Sequence, residues 1–214
     1  MAGLRTVAAW AGMTAPVLFV TVFTIAGWLR ADYDALSMFI SELSHGPRGW
    51  IQTANFVVLG FLLLVFACGV ADAFKKPKAP KSAAPLIAII AVCVILSGAF
   101  KVDPGAELSD QTSWQGAVHV AAATVAFVLM PVSCYICYRH FRDDTGWQWF
   151  AGPTFAACAV IVAAALLQEA GQHRIFGEAG LLIDLAGLLQ RVMVVTYLAW
   201  IFVFARGLRS ARPG

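Results

Sequence analysis

The sequence predicts an all-α polytopic membrane bundle of six transmembrane helices, with an interfacial amphipathic helix in the first outer loop. Three observations carry this. Hydrophobic residues make up 60% of the 214 positions and charged residues only 13%, far from soluble proportions. Apolar runs long enough to cross a bilayer recur along the whole chain. The segments between them are short, which leaves no room for a soluble domain, so residues 1–214 form a single domain.

The six runs cover 7–29, 51–74, 84–100, 116–138, 150–168 and 181–204. The third is short and calls for an extension toward Lys101. The first is too long for a cleaved leader, and no A-x-A site follows it, so it reads as a retained helix. Six crossings place both termini on one side. The termini and even loops carry Arg5, Lys75, Lys76, Lys78, Lys81, Arg139, Arg142, Arg206, Arg209 and Arg212, ten of the fifteen basic residues. Nine of the twelve acids lie on the opposite side. The basic side faces the cytoplasm, giving a multi-pass protein of the inner (plasma) membrane with both termini cytoplasmic. The net charge of +3 describes a surface facing anionic lipid and excludes a nucleic-acid binder. Membrane lipids are the expected partners; a membrane-protein partner or a second copy stays open.

Cys68, Cys93, Cys134, Cys137 and Cys158 all fall in hydrophobic runs. An odd set of embedded thiols argues against a disulfide framework, and the C-x-x-C of Cys134 and Cys137 has no second pair to complete a metal site. They read as packing residues. The basic linker Lys75–Lys81, broken by prolines, reads as a headgroup anchor.

The unusual polar residues gather on the outer side. In the first loop, Tyr33, Leu36, Ile40 and Leu43 fall on one helical stripe and Asp34, Ser37, Ser41 and His45 on another. This is the pattern of a helix lying along the interface, with Asp32 or Asp34 as its cap and Gly46-Pro47 as its end. Its polar stripe either faces water or turns inward, so that Ser41, Glu42 and His45 roof a pocket. Arg191 lies about seven residues past Asp184, roughly 10 Å into the last helix. A charge at that depth costs several kcal/mol unless it meets a partner or water. Asp103, Glu42 and His119 stand at matching depth. His119 follows Trp114 by five residues, about 8 Å along its helix. Asp103 precedes a proline turn and would cap, pair or ligate. The connection running from Gln168 and Glu169 through His173, Arg174 and Glu178 is broken by Gly171, Gly177 and Gly180 and reads as a mobile or interfacial loop. The candidate polar pocket is therefore Ser41, Glu42, His45, Asp103, His119, Gln190 and Arg191.

Ser41-Glu42-Leu43-Ser44 after the first helix, Gly98 to Asp103 closing the third, His119 opening the fourth and Gly187 to Arg191 in the sixth form an ordered series. The series resembles the bacterial and archaeal membrane family of the domain of unknown function number 998, itself similar to the FRAG/DRAM/Sfk group of six-helix membrane proteins. The resemblance spans nearly the whole chain. It implies a six-helix fold and a membrane address but no established activity, and the eukaryotic relatives point toward lipids. A weaker resemblance is to seven-helix zinc hydrolases of the alkaline ceramidase and adiponectin-receptor type. That resemblance implies a serine such as Ser41 or Ser44 beside a zinc site drawn from His45, Asp103, His119 and His173. The chain departs from that pattern: the final helix carries Gln190-Arg191 where the hydrolases have H-x-x-x-H, and there are six spans.

The resulting expectation is a membrane protein that binds or handles a lipid or other amphiphile without catalysis and without a cofactor. The alternative is an outer-leaflet lipid hydrolase or transferase, metal-dependent or not, using Asp103, His119 and residues 41–45. A dihaem protein would need facing histidine pairs, and only His119 lies within a span. A channel would need a selectivity-filter sequence or an acidic ring, and neither is present.

Overall fold

The computed structural model describes residues 2–74, 82–104, 112–172 and 180–210. Among these the chain is helical with no strand. The elements are α1 (Ala2–Trp28), a 3-10 turn (Ile40–Ser44), α2 (Gly49–Ala73), α3 (Ala83–Ala99), α4 (Trp114–Phe141), α5 (Gln148–Gln172), α6 (Leu181–Asp184) and α7 (Ala186–Ser210). Five helices, α1, α2, α4, α5 and α7, are long and apolar enough to cross a bilayer, and α3 is a shorter apolar helix. Most of them extend past the apolar runs, because the helical ladder continues through polar residues into the interfacial zone.

Neighbours in sequence are neighbours in space: α1 packs on α2, α2 on α3, α3 on α4, α4 on α5 and α5 on α7. The ring closes where α7 packs on α1. The two ends of this ring differ. At the end holding both termini, Phe66, Phe74, Phe141, Trp147, Phe150, Trp200 and Phe204 interlock, with Phe141 stacked on Trp147 at 4.9 Å between ring centroids. Such aromatic pairs add to the energy of burial. The nearly buried Asp72 receives the Arg5 guanidinium at 2.8 Å there. Arg209 stands over the Trp10 ring at 4.5 Å.

The cysteines are free: Cys93, Cys134 and Cys137 are buried and Cys158 half-buried, while Cys68 is exposed and is not a core-packing residue as expected. The linker at 75–81 lies outside the described residues, as do His173, Arg174 and Glu178. Gln168 and Glu169, expected in a loop, belong to α5, which continues to Gln172.

Two expectations about the opposite end are corrected. The first loop does not form an amphipathic helix along 33–45; only Ile40–Ser44 coil, as a single 3-10 turn. Asp34 does act as a cap, accepting the Leu36 N–H at 3.0 Å and the Ser37 hydroxyl at 2.6 Å while its carbonyl accepts the Met38 N–H at 2.8 Å, but only one turn follows. The groups that would continue the helix bond to the last helix instead: the Leu36 and Met38 carbonyls accept from Leu188 and Arg191, and the Ile40 N–H donates to Gln190. Further on, Glu42 turns back to accept the Phe39 N–H at 2.9 Å. The last apolar segment is also not one helix from 181. It breaks at Leu185, so Arg191 stands five residues into α7, about 7.5 Å from its start rather than 10 Å.

Gly187 sets the approach of the loop to α7. A Cβ built there would lie 2.3 Å from the Met38 carbonyl oxygen and 2.9 Å from an Arg191 guanidinium nitrogen. Gly152 on α5 has open space at the same position. Gly152→Ala is expected to hold or raise the thermal midpoint in detergent, since alanine favours a helix by about 1 kcal/mol. Gly187→Ala should lower it, because the clash with backbone outweighs that gain by about 1–3 kcal/mol. Equal midpoints for the two variants would contradict this packing.

Candidate functional site

The first loop is a strap stitched to the start of α7 at alternate residues. The Leu36 carbonyl accepts the Leu188 N–H at 2.8 Å, satisfying one of the unpaired amides at a helix start. The Met38 carbonyl accepts from Arg191 Nη1 at 2.9 Å. The Ile40 N–H donates to Gln190 Oε1 at 2.8 Å. Arg191 also donates to the Gly187 carbonyl at 2.8 Å and to the Tyr33 hydroxyl, with its guanidinium over the Tyr33 ring at 5.4 Å and the Phe23 ring at 6.0 Å. The expected acidic partner is replaced by two carbonyls, a phenol and two ring faces. Arginine suits this role, since its planar fork both donates in several directions and stacks on rings.

The rest of the strap is self-braced. Arg30 pairs with Asp32 at 2.9 Å and donates to the Glu42 carbonyl at 2.7 Å. That guanidinium holds the Asp32 carboxyl below its usual range. The Ser37 hydroxyl, then the Leu36 N–H, do the same for Asp34. Burial pushes the Tyr33 phenol up, against the opposing pull of Arg191.

Asp103 has a different task. Its two carboxylate oxygens accept the Ser113 N–H and the Ser113 hydroxyl, each at 2.8 Å, while Ser113 Oγ caps α4 by accepting the Gly116 N–H at 3.0 Å. An acid at a helix start is favourable. Gly116 is required at this contact, since a Cβ there would fall 2.1 Å from Asp103 Oδ2.

His119 is buried, and its Nδ1 lies 2.9 Å from the Ser97 carbonyl and 2.8 Å from the Phe100 carbonyl. Two acceptors demand a proton on Nδ1, so in the neutral ring Nε2 presents a lone pair. Phe56 meets the ring edge-on at 6.5 Å. His45 follows the 3-10 turn with its Nε2 buried and unpartnered, as are Ser44 Oγ, Gln52 Nε2 and Thr53 Oγ1.

Between these elements runs a cavity of about 60 Å³. His119, Ala123, Ala126, Phe127 and Met130 line it from α4, a single stripe about 16 Å long. Phe56, Leu59 and Leu63 of α2, Ile90, Val94 and Ser97 of α3, and Gln190, Val194, Tyr197 and Leu198 of α7 complete the wall with Phe19 of α1. Ile40 and Ser41 of the strap form the roof. Ser41, Ser97, His119 and Gln190 gather at the roofed end, and the remainder is apolar apart from Tyr197, whose hydroxyl lies 3.4 Å from Ser133 Oγ.

Of the seven expected pocket residues, Ser41, His119 and Gln190 line the cavity. Arg191 and Glu42 hold the strap, Asp103 caps α4, and His45 sits beside the roof. Ser97 and Tyr33 were missed. Ser97 was legible as the one hydroxyl interrupting Val94-Ile-Leu-Ser97-Gly98, whereas Tyr33 stands 158 residues from Arg191 along the chain and no sequence signal joined them. No group of three metal-binding side chains occurs among the described residues; of the zinc set, Asp103 and His119 are engaged as stated, His45 Nε2 is unpartnered, and His173 lies outside the described residues.

These features define a polytopic helical membrane bundle with an internal cavity. The chain belongs to the family described as protein of unknown function (DUF998), whose model matches residues 13–207. No curated protein and no solved structure matches it.

Arg191→Leu is expected to lower the melting temperature in detergent, by an amount equivalent to about 1–3 kcal/mol for the stranded carbonyls. Arg191→Lys should fall between. Adding Glu42→Gln to Arg191→Leu should restore nothing, because no ion pair joins the two; partial recovery would revive the acid-pair account.

Proposed function

We propose that the protein is a six-span inner-membrane bundle that engages part of one amphiphile in its cavity beneath the strap, toward the outer leaflet, without transforming it. The lining of the cavity carries this reading: mostly apolar along its length, with its polar side chains gathered beneath the strap apart from Tyr197. Binding sites for small molecules have this character, mostly apolar with a few placed polar groups.

The bilayer position follows from tryptophan. Trp28, Trp50 and Trp114 are exposed at the strap end, and Trp10 and Trp149 toward the other. Aromatic residues of this kind anchor at the two interfaces. Trp10 and Trp28 lie eighteen residues apart on α1, about 27 Å, close to the roughly 30 Å hydrocarbon core. The shorter α3 packs along both α2 and α4 and serves as the sixth span, continued by Phe100 to Asp103. Ten of the fifteen basic residues then face the cytoplasm with both termini.

Mass spectrometry after gentle extraction tests the reading. The native protein should retain an intact amphiphile. Ala126→Phe, which fills the bore, should lose it while keeping its helical signal. Empty native protein, or equal retention in the variant, would refute the cavity as the site.

Topology is tested separately. A fluorescent reporter active only in the cytoplasm should light when fused at the C-terminus or after Lys78 and stay dark near Asp110. The reverse pattern would invert the orientation.

A further inference from the structure

At the end of the bundle that holds both termini, the described acids are already taken. Asp72 receives Arg5 at 2.8 Å, Asp143 receives Arg142 at 3.0 Å, and Asp144 stands 3.5 Å from His140. Arg209, exposed near the end of α7, has no acidic partner among the described residues. Its guanidinium lies over the exposed Trp10 ring of α1, at 4.5 Å from the centroid. A ring holds a cation through its charge and leaves the N–H donors of the guanidinium for another partner. Arg206 stands one turn earlier on the same face of α7 and is exposed as well.

The surface leading away from these arginines is apolar. Because α7 packs against α1 on one side and α5 on the other, its outward face narrows to a stripe. That stripe runs through Val195, Ala199, Phe202, Arg206 and Arg209 at alternating spacings of four and three, one side of a helix. Tryptophans more than half exposed flank its charged end. Trp10 lies beside Arg209, and Trp149 of α5 lies so close that a Cβ on Gly207 would stand 3.2 Å from its ring. From Arg206 back to Val195 is about 16 Å, close to half of the roughly 30 Å hydrocarbon core and so the depth of one leaflet. Ala199, small between Val195 and Phe202, hollows the stripe midway.

We propose that this stripe binds one phospholipid of net negative headgroup, in the leaflet on the side of the termini and separately from the cavity. The phosphate accepts from Arg209 between the two tryptophans, and an acyl chain lies along Phe202, Ala199 and Val195. Arginine suits the task, since its planar fork matches phosphate oxygens in pairs. Interfacial tryptophan offers an apolar body to the chain and a polar edge to the headgroup. A zwitterionic headgroup fits less well. It brings its own cation, which competes with Arg209 for the phosphate and meets Arg206 as a like charge. An anionic headgroup supplies the counter-charge that the acids of this end, already paired, do not.

The test titrates full-length protein in mild detergent with phosphatidylglycerol or phosphatidylcholine of identical chains and counts bound lipid by native mass spectrometry. The native protein should bind its first phosphatidylglycerol about fivefold or more tightly than phosphatidylcholine. Arg209→Gln should lose most of that preference while keeping its melting temperature to within a few degrees, and Trp10→Leu should lose part of it. Arg142→Gln removes an exposed cation of the same end that is already paired with Asp143, and should leave the preference unchanged. If Arg209→Gln fails to fold, Arg209→Lys, which keeps the charge but not the planar fork, is expected to weaken the preference in the same direction. Equal affinity of the native protein for the two lipids overturns the site, as does an unchanged preference in the folded Arg209 variant. Equal losses in Arg142→Gln and Arg209→Gln would assign the preference to the basic surface as a whole and overturn it too.

Discussion

The attachment of the first loop to α7 is the contact on which this outer architecture depends. A loop that dips to the level of a membrane helix must satisfy its amides and carbonyls within the protein, because hydrocarbon offers no substitute. The start of α7 has the complementary problem of unpaired N–H groups. Leu188, Gln190 and Arg191 solve both at once by bonding residues 36, 40 and 38 of the strap. The result joins the first loop, which leaves α1, to the helix that closes the ring. It also presses Ile40 and Ser41 down as a roof over the bore.

Arginine at position 191 is explained by geometry rather than by an opposite charge. Its donors reach the Met38 and Gly187 carbonyls and the Tyr33 hydroxyl, and its flat face rests near two rings. Multiple carbonyl dipoles can stabilise a guanidinium without the desolvation cost of bringing in a carboxylate as well. The sequence pointed to Arg191 because a cation in an apolar segment stands out. It could not point to Met38, whose contribution is a backbone oxygen that every residue possesses. Looking only to side chains as partners therefore led to Glu42, Asp103 and His119, which brace a turn, cap a helix and bond the Ser97 and Phe100 carbonyls instead.

The same division runs through the rest of the molecule. Spans were legible because each is a sustained run of apolar residues, and their ends were less so because helices outlast the hydrocarbon. The helical spacing of Tyr33 to Leu43 was real as a pattern, and Ile40 and Leu43 are buried. Yet periodicity does not record that Leu188, Gln190 and Arg191 take the backbone groups of residues 36, 40 and 38 that would have carried the helix on past its first turn. His119 and Gln190 were legible as polar groups at depth. That Ser97, on another helix, completes their end of the bore depended on the order of helices around the ring, and nothing in one sequence encodes adjacency visibly.

Packing is uneven along the bundle axis, and the unevenness places the site. At the termini end, large aromatic rings from α2, α4, α5 and α7 fill the centre, together with the segment joining α4 to α5. Toward the strap end the wall mixes Phe19, Phe56 and Phe127 with smaller residues, Ala123 and Ala126 on α4, Ser97 on α3 and Val194 on α7. Interiors normally pack to near-crystalline density, and the small residues set among the larger ones leave this part of the centre unfilled. Ser41, Ser97 and His119 border that bore with unfilled hydrogen-bonding capacity, and in an apolar surrounding such capacity costs free energy until something meets it.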